Sequence, residues 1–273
     1  MQYDPIKRSL GNVFNKTPFL RKLFYRLLDI LLLRTWHVKK ELRLWKKNYP
    51  DKAMLLDAGS GFGQYTYYLS GVNPKWNVLG VDVKQEQIDD CNHFFEQINR
   101  SDRVKFEYAD LTKFSKPETF DFILSVDVME HILEDVEVFK NFNASLKKGG
   151  MLLISTPSDQ GGSDTHHDHE HDEVTGFIDE HVRDGYGIKE IEDKLITAGF
   201  TKVDARYSYG KPGSLSWKIS MKYPIQLLNV SKIFFIVIPF YYLILYPFAL
   251  ILNYFDVKNN HKTGTGLIVK AWK

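Results

Sequence analysis

The sequence predicts an α/β protein: a doubly wound, mostly parallel sheet of seven strands with helices on both faces. Three observations carry that expectation. Short apolar runs alternate with helix-like stretches from Ala53 to Phe200, the βαβα rhythm of a parallel sheet. A glycine-rich turn, Asp57-Ala-Gly-Ser-Gly-Phe-Gly63, follows the first apolar run, at the place where such sheets bind ligands. The chain has 273 residues, 44% apolar and 26% charged, enough for one domain with a sizeable insertion.

Residues 18–48 read as two helices. Phe19, Leu20, Leu23, Phe24, Leu27, Leu28, Leu31 and Leu32 recur at helical spacing, flanked and followed by Arg21, Lys22, Arg26, Arg34, Lys39, Lys40, Arg43, Lys46 and Lys47. Such an arm either packs on the domain or lies on an anionic membrane surface, and the two are compatible. Strand-like runs then fall at 54–57, 77–82, 104–108, 120–126 and 151–155, with helical patterns near 64–71, 85–99 and 132–146. Lys147-Lys-Gly-Gly150 reads as a helix end turning into the fifth strand. Residues 156–185 are polar and weakly periodic, a loop; helical spacing returns over 188–198 and stops at Gly199. Two more strand-like runs, 201–209 and 266–273, enclose an apolar insertion. The expected organisation is a basic helical arm (1–50), an α/β domain (51–211 with 264–273) and an apolar helical insertion (212–263).

The net charge of +2 gives no global field for nucleic acid. The single cysteine, Cys91, allows no intrachain disulfide and suits a reducing compartment. The first residues lack the apolar stretch of a secretion signal, so cytoplasmic residence is expected.

In Leu55–Gly63 a strand ends at Asp57 and glycines stand at 59, 61 and 63, allowing a tight turn and close approach of a ligand to the backbone. Glycine-rich turns serve many nucleotide-binding folds, so further acids matter. Asp82, followed by Val83, ends the second strand-like run, where a carboxylate can accept hydrogen bonds from two ribose hydroxyls. Asp110 closes the third, and Ser125 and Asp127 are polar positions at the end of the fourth. A nicotinamide dehydrogenase expects G-x-G-x-x-G, whereas these glycines run G-x-G-x-G.

On these residues the chain resembles the class I (Rossmann-like) S-adenosylmethionine-dependent methyltransferases, over roughly 50–209 and 264–273. The resemblance implies that Asp57, Gly59, Ser60, Gly61 and Gly63 form the motif holding the methionine part of the cofactor. It makes Asp82 the ribose-binding acid and Asp110 with Leu111 the adenine-contacting position. Phe120-Asp-Phe-Ile and Leu146-Lys-Lys-Gly-Gly-Met-Leu-Leu-Ile154 match the fourth strand and the approach to the fifth.

Methyl transfer from a sulfonium needs mainly orientation, with proton removal when the acceptor is a hydroxyl. Asp127-Val-Met-Glu-His131 resembles an element of quinone-pathway O-methyltransferases. His131 is a candidate base. Alternatively, Asp127, Glu130 and His131 hold a divalent cation, or the element only closes the pocket floor. The run 164–173, with four histidines and five acids, lacks a recognised ligand spacing and reads as a solvated loop beside the acceptor. Glu180-His181-Val-Arg-Asp-Gly-Tyr186 resembles the H-x-R-x-x-Y element of the family, with His181 a second candidate base.

Residues 233–252 carry no charge, long enough to span a bilayer. Yet the strand-like runs on either side must join one sheet, and Pro239 and Pro247 are expected to kink or split a straight helix. The insertion is therefore expected on the active-site side, as a lid, as a surface dipping into a bilayer, or as both. The expected function is O-methylation of a hydrophobic small molecule or lipid at the inner face of the cytoplasmic membrane. The alternatives are C-methylation of the quinone-pathway type, or a non-catalytic membrane-associated binding protein of the same fold.

Overall fold

The computed structural model describes residues 17–48, 51–161, 182–231 and 234–273. Two helices come first, α1 (Pro18–Leu31) and α2 (Leu33–Asn48). Thr17 caps α1, its side chain accepting the Leu20 N–H at 3.3 Å, and a proline at the first position presets the helical φ. Leu32 interrupts the pair with extended backbone, φ −91° and ψ 111°.

The α/β part follows in the expected order: β1 (Met54–Ala58), α3 (Gln64–Val72), β2 (Asn77–Asp82), α4 (Gln85–Gln97), β3 (Val104–Tyr108), β4 (Phe120–Val126), α5 (Asp135–Ser145), β5 (Leu146–Pro157), α6 (Ile188–Thr197), β6 (Lys202–Ser208) and β7 (Gly266–Trp272). The sheet has seven strands in the order β3-β2-β1-β4-β5-β7-β6, and β7 is antiparallel to both neighbours. Hence β6 runs parallel to β1–β5, and its end, Ser208, lies at the same edge as Ala58, Asp82 and Val126.

Adjacent residues along the central strands serve opposite faces, which explains why these strands read as unbroken apolar runs. Leu56, Ile123 and Leu152 enter the core under α5 and α6, with Phe139, Phe142 and Leu195. Leu55, Phe122, Leu124 and Leu153 enter the other, with Trp45 of α2 and Phe94 and Phe95 of α4. The arm thus completes one face of the sheet.

One boundary differs from the sequence reading. Strand β5 begins at Leu146, directly after α5, and Lys147-Lys-Gly-Gly150 lies within it. The register shifts there, Phe120 pairing with Leu146 but Phe122 with Met151. Gly149, at φ +78°, absorbs the extra residues as a bulge does.

Between β6 and β7 the chain forms α7 (Lys211–Trp217), a wide π turn (Lys218–Lys222), α8 (Tyr223–Val230) and α9 (Phe234–Lys258). Of the two expected effects of the prolines, the split does not occur: α9 is a single helical element of 25 residues through Pro239 and Pro247. Pro239 is the sixth residue of α9, beyond the N–H groups that lack an intrahelical acceptor, so the helix continues with one backbone hydrogen bond missing there. Around Pro247 the helix is held from outside, by the Ser216 hydroxyl donating to the Ala249 carbonyl and by the Tyr246 hydroxyl donating to the Ile30 carbonyl.

Asp256 fastens this excursion to the core. Its fully buried carboxylate accepts from His37 Nε2 (2.8 Å), from the backbone N–H groups of Tyr209 (3.1 Å) and Gly213 (2.9 Å), and faces His261 Nε2 at 3.2 Å. Burial opposes its charge, but His37, His261 and the Gly213 N–H hold the carboxyl below its usual pKa. Burial holds His37 below its own usual value, so a neutral ring donates through Nε2. A side chain at Gly213 would place its Cβ 2.6 Å from Asp256 Oδ2. Asp256→Ala, which leaves those buried donors unpaired at about 1–3 kcal/mol each, is expected to destabilise the protein by about 3 kcal/mol or more in urea unfolding followed by tryptophan fluorescence.

Candidate active site

The glycine turn bridges β1 and α3 with positive φ at all three glycines, +76°, +51° and +78° at positions 59, 61 and 63. At Gly59 the requirement is also steric, because a Cβ would meet Val128 Cγ2 at 2.2 Å. The Gly59 and Ser60 N–H groups donate to the Val81 carbonyl at 2.9 Å, and the Gly61 N–H donates to Asp82 Oδ2 at 2.9 Å. Asp82 Oδ1 accepts the Lys84 N–H at 3.0 Å. Two backbone donors therefore orient the carboxylate at the end of β2, beside the turn, and Val83 next to it is exposed.

Asp57 is buried and accepts the Thr66 hydroxyl at 2.6 Å, tying the end of β1 to α3. Burial raises its carboxyl to about 6, against the hydrogen bonds from Thr66, with a further upward push from Asp82. Ser60 and Ser125 are buried with hydroxyl oxygens that find no hydrogen-bond partner among the described residues. Buried polar groups are normally satisfied, so these two, one within the glycine turn and one at the last-but-one position of β4, suit a polar ligand along the edge. Asp110 accepts the N–H and the hydroxyl of Thr112 at 3.0 and 2.7 Å, and Leu111 is buried in the core. The Thr112 hydrogen bonds hold the Asp110 carboxyl below its usual pKa.

The acceptor-side residues do not form the expected metal alternative. Asp127, at φ +52°, is ion-paired with Arg34 of α2. Glu130 is buried and accepts the Thr156 hydroxyl at 3.0 Å, burial raising its pKa. His131 lies in a 3₁₀ turn (Met129–His131) and lines an open cleft of about 750 Å³ with Asp110, Thr112 and Val182. No cluster of three metal-ligating side chains occurs among the described residues. His181 and the histidine run 164–173 lie outside them. Of the element around His181, Arg183 and Tyr186 both hydrogen-bond Asp135, at 2.5 and 2.9 Å, and the Tyr186 hydroxyl also reaches the Met129 carbonyl at 3.1 Å. They brace the turn that carries His131.

Sequence reasoning missed the arm's part in the site. Arg21 Nη2 and the Tyr25 hydroxyl both donate to the Phe62 carbonyl, at 2.9 and 2.5 Å, and Arg21 Nη1 pairs with Asp90 at 2.7 Å. Asp29 accepts from Gln64, the first residue of α3, at 2.9 Å. The available signal was Arg21 and Tyr25 falling four residues apart, off the apolar stripe of α1. The insertion emerges after β6, and its long helix α9 packs on α7 and on α2 of the arm. The side chains that hold the outside of the turn come from α1.

The family profile described as "Methyltransferase domain" matches residues 51–195, more than half of the chain. The chain belongs to that family, the class I S-adenosylmethionine-dependent methyltransferases. Phosphoethanolamine N-methyltransferase 1 of Triticum aestivum is 32% identical over 166 residues, 58% of this chain and 32% of that protein. The chain spans about a third of the length of the plant relatives it matches. 27-O-demethylrifamycin SV methyltransferase of Amycolatopsis mediterranei is 28% identical over 101 residues, 37% of each chain. Among solved structures, phosphoethanolamine N-methyltransferase 2 of Haemonchus contortus in complex with S-adenosyl-L-methionine matches with a TM-score of 0.59 at 18% identity, over 92% of this chain and 60% of that one. A methyltransferase from Mesorhizobium loti matches at 0.52 and 14% identity, over 85% and 97%.

Two measurements check this site. Asp82→Ala is expected to weaken binding of S-adenosylhomocysteine about 10–100-fold, the worth of hydrogen bonds to a carboxylate, in titration calorimetry. Asp57 binds its proton more tightly folded (about 6) than unfolded (3.8). Its contribution is therefore fully present at low pH and lost as pH rises from about 4 to 6, by up to about 3 kcal/mol. In Asp57→Asn that fall in the stability-versus-pH curve is expected to disappear.

Proposed function

We propose that this protein transfers the methyl group of S-adenosylmethionine to a lipophilic or lipid-borne acceptor while seated on a membrane, on its cytoplasmic face. The observation that carries the reading is α9. It is long and apolar enough to cross a bilayer by length and composition, and only 11% of its apolar window is buried. At 1.5 Å per residue its 25 residues reach about 37 Å. Ile236, Phe240, Leu243, Ile244, Phe248 and Ile251 are all more than half exposed, far more apolar surface than a protein facing only water carries. An internal lid would bury these side chains. Because β6 and β7 return α9 to the same edge of the sheet, a surface that dips into one leaflet accounts for the arrangement better than a span.

In this reading the glycine turn, Ser60, Asp82 and Ser125 hold the donor, with Asp110 and Leu111 at its adenine end. The bound donor supplies an already activated methyl group. The chain's contribution is orientation and exclusion of water. His131, on the braced turn facing the cleft, takes the acceptor's proton when the methylated atom is a hydroxyl oxygen.

The plant relatives' names support a second reading, a small phosphorylated amine as acceptor. Methyl transfer from labelled donor, assayed on membrane lipid extract and on phosphoethanolamine, separates the two. Label is expected in the organic phase, with His131→Gln slower by at least about 100-fold at unchanged donor affinity. Label confined to aqueous phosphoethanolamine establishes the second reading. Loss of vesicle flotation on deleting residues 212–260 from an otherwise bound chain is expected as well.

A further inference from the structure

We infer that membrane docking and donor binding are linked through α1, so that the protein holds its methyl donor more tightly on a bilayer than in water. This inference rests on the membrane reading above and adds a regulation of the same site.

Helix α1 has two working faces. Phe19, Leu23, Leu27 and Ile30 form one stripe, at spacings of four, four and three, and all are exposed, Phe19 at 73%. Arg21 and Tyr25 follow Phe19 and Leu23 by two positions, about 200° around the helix, and are buried at 2% and 1%. The second pair meets the glycine turn. Both groups donate to the Phe62 carbonyl, and the Phe62 ring packs against Phe24 and Tyr25, with centroids at 5.7 and 6.2 Å. Phe62 stands between Gly61 and Gly63, residues with φ that few side chains tolerate, so its carbonyl needs an external tether to stay in place. Its tether is α1.

The occupant of the first face is a phospholipid bilayer carrying anionic headgroups. Lys22 and Arg26 immediately precede Leu23 and Leu27 and border the stripe with positive charge, as an anionic surface requires. The end of α1 also lies beside α9, where the Tyr246 hydroxyl donates to the Ile30 carbonyl at 2.6 Å. The basic Lys218 and Lys222 stand in the neighbouring π turn. A bilayer that receives α9 therefore receives α1 as well.

An element that binds a membrane with one side and the donor turn with the other links the two equilibria. Lipid contact restrains α1 against the turn, and a turn already restrained loses less freedom when the donor binds. Linkage is reciprocal, so the donor product must strengthen vesicle binding by the same factor.

The test titrates S-adenosylhomocysteine into the full chain, free and bound to vesicles of phosphatidylcholine mixed with phosphatidylglycerol. Affinity is expected to rise about fivefold or more on vesicles. The double variant Leu23→Ser with Leu27→Ser, at exposed positions away from the donor turn, is expected to keep solution affinity and to remain vesicle-bound through α9. It is expected to lose the rise. Circular dichroism and thermal unfolding establish that it folds, and Phe19→Ser supplies a second, milder variant. Vesicle binding of the wild type without any change in affinity overturns the linkage and leaves the membrane reading intact. A full rise in the double variant overturns the assignment to α1. A wild type that ignores vesicles overturns the membrane reading, and the linkage with it.

Discussion

The antiparallel pairing of β6 with β7 governs the design of this chain. From Lys202 opposite Trp272 to Ser208 opposite Gly266, the register is unbroken. Everything between must therefore leave and return at one point on the edge of the sheet. That edge is also where β1, β2 and β4 end and where the donor turn lies. Asp256 adds the second constraint, a buried carboxylate whose donors come from α2, from the end of β6 and from the start of α7. With one end of α9 latched in this way, the helix packs on α7 and the arm along one side, and its other side stays uncovered by the protein. A helix of that length with an uncovered apolar face is what the proposed membrane seating accounts for, because burying that face in lipid removes its apolar area from water.

The arm joins these parts. It covers one face of the sheet through Trp45, Val38 and Leu42, clamps the donor turn through Arg21 and Tyr25, and pairs Arg34 with Asp127 at the end of β4. The Arg34 N–H also donates to the Tyr209 hydroxyl at 2.9 Å, directly after β6. One short helical hairpin thus touches the donor turn, the acceptor side and the root of the insertion. In the proposed linkage no long-range path is needed, because the element offered to the lipid is the one that holds the glycine turn.

Much of this was legible in the chain. The seven strands, their order along the sequence and the four helices of the α/β part follow from periodicity, because buried parallel strands require unbroken apolar runs. The glycines at 59, 61 and 63 and the acids Asp57, Asp82 and Asp110 stand out because few other residues satisfy a tight turn at strand ends. Less legible was Lys147-Lys-Gly-Gly150, where the composition of a helix stop served instead as a bulge inside β5. The continuity of α9 through two prolines was not legible either, since its contacts near Pro247, with Ser216 and Ile30, come from elements far away in the chain.

The sequence alone determined the fold class, the glycine turn at the end of β1 and the presence of an apolar segment too long to ignore, because these are properties of local spacing and composition. Only the tertiary structure decided that Asp127 pairs with Arg34, that Glu130 is buried against Thr156, and that the outside of the glycine turn belongs to α1. Each is a meeting of residues far apart in the chain, and no local pattern encodes which distant side chain satisfies a given carboxylate or carbonyl. The sidedness of α1 is the clearest case. Its sequence shows an apolar stripe among basic residues, but folding sets Arg21 and Tyr25 against Phe62 and leaves the stripe facing outward.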